Sequence, residues 1–257
     1  MPPSSHLHRL WDTGQRLLAL GRYVPARTAL EAAESLAWRR RDPATLARLY
    51  LPLLEARRQI RYQAVEGQLL ICNPSAPARE ERRQLNNFLR APAGTVLLTC
   101  AAGEGQAACR FSGSVHFAAR RTARPLEALL LIRLATDVRI AAQPDPTFTA
   151  GLPIDWTKNP AAPIPPTTAP HIRLPLPPPG LYNPANPLHP LARESLLAAW
   201  EALALTWQTR HPPPPHPNPW QELAWLRLAL RIDPACEPIT MRLLALAESL
   251  ERAPSPP

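Results

Sequence analysis

The sequence predicts a mixed α+β fold in which helical hairpins at both ends of the chain flank a small α/β layer, joined by a proline-rich connector. Near both ends, apolar residues recur at intervals of three and four, which is typical of amphipathic helices. After Glu66 the pattern changes to short continuous apolar runs, which indicate buried strands. Residues 144–190 hold 15 of the 35 prolines, a density that disfavours helix and interior strand. The predicted segments are therefore 1–63, 64–143, 144–190 and 191–257.

The composition is that of a folded and strongly basic protein. The chain has 257 residues, of which 46% are hydrophobic, and a formal net charge of +9. This charge permits contact with acidic partners or nucleic acid, but it does not define a fold. No signal-peptide pattern and no apolar run of about 20 residues is found, so we expect a cytoplasmic protein without a membrane span.

The first segment reads as consecutive helices. Gly21 ends the first helix, and Pro25 falls in the first turn of the second, where its missing N–H has no cost. Asp42 and Pro43 begin a third helix, in which we expect Pro52 to cause a kink. The apolar face of the first helix consists of Leu7, Leu10, Trp11, Gly14, Leu17 and Leu18. A plain helical bundle would show the same periodicity.

Both chain ends carry a more specific spacing. It consists of Gly14, Leu17, Gly21, Tyr23, Ala26, Leu30 and Ala33 at one end, and of Trp200, Leu203, Ala204, Trp207 and the run Ala229–Pro234 at the other. These residues resemble the tetratricopeptide repeat (TPR), a helix–turn–helix unit. Residues 237–252 resemble the capping helix of such arrays. The resemblance implies a non-catalytic scaffold that binds a protein partner. The sequence identifies neither that partner nor the oligomeric state of the chain.

The second segment predicts a βαβ unit. Residues 67–72 and 95–100 are apolar runs that read as strands, and residues 77–90 between them read as a charged helix. Residues 126–134 and 137–142 predict a further strand pair around a tight turn. A helix within residues 106–121 is expected, although the alternation of Phe111, Val115 and Phe117 also fits an antiparallel strand.

Two glycines after the second strand raise an alternative function. Gly103 and Gly105 belong to a G-x-G-x-x-A sequence, in which backbone N–H groups can approach a phosphate at a helix N-terminus. The alternative is therefore a nucleotide-binding or transferase-like α/β module carried on a helical scaffold. A plain strand-to-helix loop explains the same residues, and no cofactor is predicted.

Arginines on the third helix raise a second alternative. Arg57, Arg58 and Arg61 share a face on which guanidinium groups could bind an acidic partner or, weakly, nucleic acid. A solvated helix face is the simpler interpretation, so nucleic acid is not the expected partner. Neither a catalytic group nor a metal site is predicted, because the four cysteines and seven histidines are scattered.

Two expectations concern the whole chain. Each terminal hairpin has an apolar face that it cannot bury alone, so we expect both ends to form one helical body. The connector is expected to be structural and not a recruitment peptide, because apolar residues such as Trp156, Leu174 and Tyr182 lie between its prolines.

Overall fold

Five helices and one five-stranded sheet are the regular elements with defined bounds in a computed structural model of the chain. The model describes residues 3–72, 79, 83, 86–101, 115, 117–133, 138–141, 171–173, 197, 200–201, 204–205, 208, 218–230 and 233–252. The helices are α1 Pro3–Ala19, α2 Tyr23–Arg40, α3 Pro43–Glu66, α4 Pro219–Ala229 and α5 Glu237–Arg252. The strands are β1 Gln68–Cys72, β2 Gly94–Ala101, β3 Leu126–Arg133, β4 Val138–Ala141 and β5 His171–Arg173. Residues 86–88, 117–122 and the described residues of 197–208 are also helical.

The chain divides into two compact units. Residues 1–60 and 215–257 form the first, which we call the helical unit, and residues 61–214 form the second, which contains the sheet. Residues 1–60 and 215–257 therefore fold together, as the apolar faces of the two ends predict, but residues 191–214, which the sequence assigned to the C-terminal hairpin, belong to the second unit. The division falls after Ile60, within α3, and α3 continues through Pro52 without interruption. The described part of the chain thus confirms the coarse prediction of helices with a small sheet.

α1 and α2 form a helical hairpin around a three-residue turn. Gly21 adopts the left-handed conformation with φ of 68° and donates its N–H to the carbonyl of Leu18, while Arg22 donates to Leu17. This pair of bonds is the Schellman motif, which ends a helix and favours glycine at the left-handed position. Two turns earlier in α1, a Cβ atom on Gly14 would lie 2.6 Å from Leu30 Cδ2, so the absence of a side chain at Gly14 allows α1 and α2 to approach closely.

α2 ends in the same motif, but with an arginine in the left-handed position. Arg41 has φ of 51°, and its N–H donates to the Trp38 carbonyl while Asp42 donates to Ala37. Asp42 then caps α3, because its carboxylate accepts bonds from Thr45 N at 3.0 Å and Thr45 Oγ1 at 2.6 Å. The Asp-Pro signal in the sequence thus predicted the start of α3 correctly.

α4 and α5 complete the helical unit. A reciprocal capping box begins α4, in which Asn218 and Gln221 each bond the other's backbone N–H. α5 has the bounds expected from the sequence, and it buries Ile239, Leu243 and Ala247. Ion pairs connect these helices to one another and to the N-terminal helices: Arg242 pairs with Glu222, and Arg58 pairs with Glu237 at 2.8 Å.

The sheet has the strand order β1-β2-β3-β4-β5. β1, β2 and β3 run parallel to one another, while β4 pairs antiparallel with both β3 and β5. The predicted pairing of residues 126–134 with 137–142 is confirmed. The buried side chains of Phe88, Val96, Val115, Ala119 and Leu126 are those expected where helices cover a sheet.

The connector contributes β5 to this sheet, a strand that the proline density did not predict. The strand is only three residues long, contains no proline and lies at the edge of the sheet among the described strands, where one row of backbone groups needs no partner. Val115 and residues 117–122 are helical, which favours the helical interpretation of residues 106–121. The predicted turn at Ala135-Thr136 and the connector's anchors Trp156, Leu174 and Tyr182 lie outside the described residues.

Candidate interaction site

The three arginines predicted as a partner-binding face are all engaged within the protein. Arg57 Nη2 lies 3.2 Å from Glu31 Oε1, and its side chain is 12% exposed. Arg58, which is half-exposed, pairs with Glu237. Arg61 is buried, with its guanidinium carbon 4.5 Å from the centre of the Trp200 ring. Binding of a partner through these residues stays a prediction, and it would require these internal contacts to be exchanged.

The predicted phosphate-binding glycines, Gly103 and Gly105, lie outside the described residues. Two polar side chains on the parallel strands, Thr95 and Glu127, are buried and are register partners on β2 and β3. They stand near the amino ends of these strands. Ligands of open α/β sheets bind at the carboxyl ends, so this pair is in the wrong place for such a site.

A buried charge cluster connects α2, α3 and α4, and we define it by Glu31, Glu34, Tyr50, Arg57 and Arg227. Arg227 Nε donates to Glu34 Oε1 at 2.8 Å, and both side chains are largely withdrawn from water, at 26% and 11% exposure. The Arg57–Glu31 pair connects α3 to α2. Two acids and two bases balance in charge, so the cluster offers no net charge to a ligand. It serves to hold three helices in one arrangement.

The hydroxyl of Tyr50 lies within the electrostatic reach of this cluster. Tyr50 is 1% exposed, and among the described residues its hydroxyl has no hydrogen-bond partner. Burial, followed by the negative charge of Glu34, raises the pKa of this hydroxyl far above its usual value, while Arg227 and Arg57 oppose the shift. The hydroxyl therefore stays neutral as long as the helical unit is folded.

Replacing Tyr50 with phenylalanine should leave the protein at least as stable at neutral pH, by up to about 1 kcal/mol, because a buried hydroxyl without a partner is removed. Above about pH 10 the wild type should lose stability relative to the variant, since tyrosine ionises in the unfolded chain but not in the folded one. Urea unfolding at neutral and alkaline pH measures both effects. Tyr23→Phe, at a less buried position on α2, is the control, and a clear loss of stability in Tyr50→Phe at neutral pH would contradict the prediction.

A second feature, which we call the arginine–tryptophan ridge, consists of Trp38, Arg39, Arg40, Arg41 and Trp220. The two indole rings are 5.6 Å apart and meet edge to face at 67°. The guanidinium carbon of Arg41 lies 5.9 Å from the centre of the Trp220 ring. All three arginines are exposed and both tryptophans are half-buried. Aromatic and cationic groups of opposite chain ends thus meet on the surface of the helical unit.

The inner side of the ridge rests on the charge cluster. The guanidinium carbon of Arg227 lies 4.1 Å from the centre of the Trp38 ring, and the same side chain bonds Glu34. A series of contacts therefore runs from buried Glu34 through Arg227 and Trp38 to Trp220 and exposed Arg41. Because its inner members are fixed by packing and charge, the outer members are held in place before any partner arrives.

The described residues contain neither a candidate metal centre nor a candidate membrane span. Among them, no three histidine, cysteine, aspartate or glutamate side chains are grouped so as to hold a metal ion. Within the same residues, none of the helices combines the length and apolar character needed to cross a bilayer.

Comparison of the chain with protein-family models, with curated proteins and with solved structures finds no match. The assignment of function therefore rests on the residues and on their geometry.

The arginine–tryptophan ridge was not predicted from the sequence. One signal was present: a helix that ends before Asp-Pro is expected to carry glycine at its left-handed position, and the chain has Arg41 there. The Trp38–Trp220 contact carries no local signal, because the two residues are far apart in the sequence.

Proposed function

We propose that the protein is a non-catalytic interaction scaffold of TPR-like type, whose helical unit binds a protein partner. The observation that carries the proposal is the packing of α1 against α2. Among the residues on which the TPR resemblance rests, Ala26, Leu30 and Ala33 are fully buried, and Gly14 stands against Leu30 at a distance that excludes any larger residue without movement. These are the positions at which a TPR-like hairpin needs small or well-packed residues.

The exposed surface of the same unit supports a binding role. Helical scaffolds recognise partners through exposed side chains on a rigid framework, and the ridge offers aromatic and arginine groups, which are enriched at binding hot spots. Leu20, Leu51 and Met241 are large apolar residues that remain exposed in this unit. Cross-helix ion pairs hold the framework beneath them.

The test is purification of the tagged full-length protein from its native cells, with chemical cross-linking before lysis and mass spectrometry of both proteins and small molecules. The proposal predicts a protein present in stoichiometric amount and cross-linked to residues of α1–α5. Recovery of a bound small molecule together with no cross-linked protein would contradict it.

A second candidate is a nucleotide-binding α/β module in the second unit. The observation that favours it is the set of three parallel strands, β1 to β3, since sheets of this kind bind nucleotides beyond their carboxyl ends. The residues that follow β2, Gly103 and Gly105 among them, are those that would form such a site.

This candidate makes a direct prediction. Gly103→Val or Gly105→Val should abolish nucleotide binding and leave the thermal unfolding curve unchanged, because a side chain at either position would keep phosphate from the backbone N–H groups. Isothermal calorimetry with ATP, GTP and NAD measures the binding. Gly180→Val, in the connector, is the matched control. Absence of binding to the wild type would eliminate the candidate.

A further inference from the structure

We propose that the arginine–tryptophan ridge is the docking site for a carboxylate-rich segment of the partner protein. The inference rests on the proposed scaffold function and adds the chemistry of the partner and the place where it binds. Charge, backbone conformation and the arrangement of the aromatic rings each support it.

The charge of the ridge is positive and lies on the surface. Arg39, Arg40 and Arg41 are consecutive exposed residues at the C-terminal end of α2. The carboxylates that flank the ridge are committed elsewhere: Asp42 caps α3 through Thr45, and Glu222 pairs with Arg242. Glu34, beneath the ridge, pairs with Arg227. An incoming carboxylate therefore does not have to displace any of these three acids.

The backbone conformation of Arg41 argues for a role beyond folding. A left-handed conformation costs a residue other than glycine roughly 1–2 kcal/mol, and α1 avoids this cost by placing Gly21 in the same motif. Arg41 has a side chain at a backbone position that favours glycine. Residues kept in unfavourable conformations are concentrated at functional sites, because the side chain is needed in that position.

The rings determine what Arg41 can do. A guanidinium group that stacks on an aromatic face keeps its N–H donors in its own plane, where they match the two oxygens of a carboxylate. Arg41 is exposed and stacks on Trp220, which is itself held by Trp38. Its rotamer freedom is thereby restricted before binding, which lowers the entropy cost of forming the new hydrogen bonds.

The size of the ridge favours a peptide over nucleic acid. A protein that binds duplex DNA commonly contacts about 6–10 phosphates along an extended basic surface. Here the ridge has only three arginines, which lie at a single helix end, so it offers fewer cationic contacts than such an extended surface. A short acidic segment, with carboxylates a few ångströms apart, fits this footprint.

The experiment measures binding of a fluorescein-labelled deca-glutamate peptide to the full-length protein by fluorescence anisotropy. The ridge variant is Arg39→Gln/Arg41→Gly, and the matched control is Arg16→Gln/Arg22→Gln. Both remove two exposed charges next to the C-terminal end of a helix. We expect the ridge variant to keep its fold, because glycine relieves the left-handed strain at position 41 and the bond of Arg39 among the described residues is to the Ser35 carbonyl of its own helix. Arg22 makes no side-chain capping bond.

We expect the ridge variant to bind the peptide about tenfold more weakly and the control to bind within about twofold of wild type, as the loss of charge-assisted hydrogen bonds at one site predicts. Equal weakening by both variants would reveal only long-range attraction to a basic protein and would overturn the proposal. A second result would also overturn the proposal: a labelled oligothymidine binds the wild type more tightly than the peptide does and binds the ridge variant more weakly. The occupant of the ridge would then be nucleic acid.

The two proposals fail in different ways. A native partner that cross-links to the helical unit away from residues 38–41 and Trp220 would overturn the docking site and leave the scaffold function standing. Purification without any protein partner would overturn the scaffold function, whereas the ridge would still be judged by the difference between the two peptide-binding variants.

Discussion

Glu34→Gln is expected to destabilise the helical unit by about 3 kcal/mol. The substitution keeps the shape of the side chain but removes its charge, so Arg227 is left largely buried without its carboxylate partner. Breaking a buried ion pair by removing one partner typically costs 3–5 kcal/mol, and the lower end applies because Arg227 retains 26% exposure. In thermal unfolding, this cost corresponds to a fall of roughly 6–12 °C.

The control is Glu248→Gln on α5. Glu248 also pairs with an arginine, but Arg252 is 74% exposed and the pair is of the i,i+4 type on one helix, so its loss should cost less than about 0.5 kcal/mol. A double-mutant cycle with Arg227→Gln isolates the coupling between the two side chains. Equal small effects at Glu34 and Glu248 would show that the buried cluster does not hold α4 against α2.

Gly14→Val is expected to cost about 2 kcal/mol. The added Cβ alone would lie 2.6 Å from both Cδ2 and Cγ of Leu30, which is fully buried, so either Leu30 must leave its rotamer or the two helices must separate. Overpacking of this kind costs about 1–3 kcal/mol. Differential scanning calorimetry should show the helical unit unfolding at a lower temperature, by roughly 4–8 °C.

Two further variants test the origin of that effect. Ala19→Val adds bulk at an exposed position of the same helix and should cost only its loss of helix propensity, about 0.6 kcal/mol. Leu30→Ala removes the obstructing side chain, so Gly14→Val/Leu30→Ala should be less destabilised than the two single changes together predict. Additive costs would mean that Gly14 does not contact Leu30 in solution.

The elements that could be predicted from sequence are those encoded by local patterns. The bounds of α5, the strands β1 and β2, and the start of α3 at Asp42-Pro43 follow from periodicity and capping signals within a few residues. The edge strand β5 was missed because proline density is a regional average, whereas three residues without proline suffice for a short edge pairing.

The candidate site could be predicted only in part, because its contacts join distant residues. Periodicity placed Arg57, Arg58 and Arg61 together on α3, but it contains no information about which groups lie opposite them. Glu237 lies 179 residues from Arg58, and Arg227 lies 193 residues from Glu34. A charged residue is exposed or internally paired according to the tertiary fold, and the sequence pattern is the same in both cases.

The division of the helical unit between the two ends of the chain has a consequence for its synthesis. At the usual rate of about 5–20 residues per second, the ribosome needs roughly 8–30 s to pass from the end of α3 to the start of α4, and longer to complete α5. Throughout that interval Glu34 and Trp38 have already been synthesised, while Arg227 and Trp220 have not. On the nascent chain, the face of the N-terminal helices that α4 and α5 later cover is therefore exposed. We expect chaperones to bind this face until translation is nearly finished.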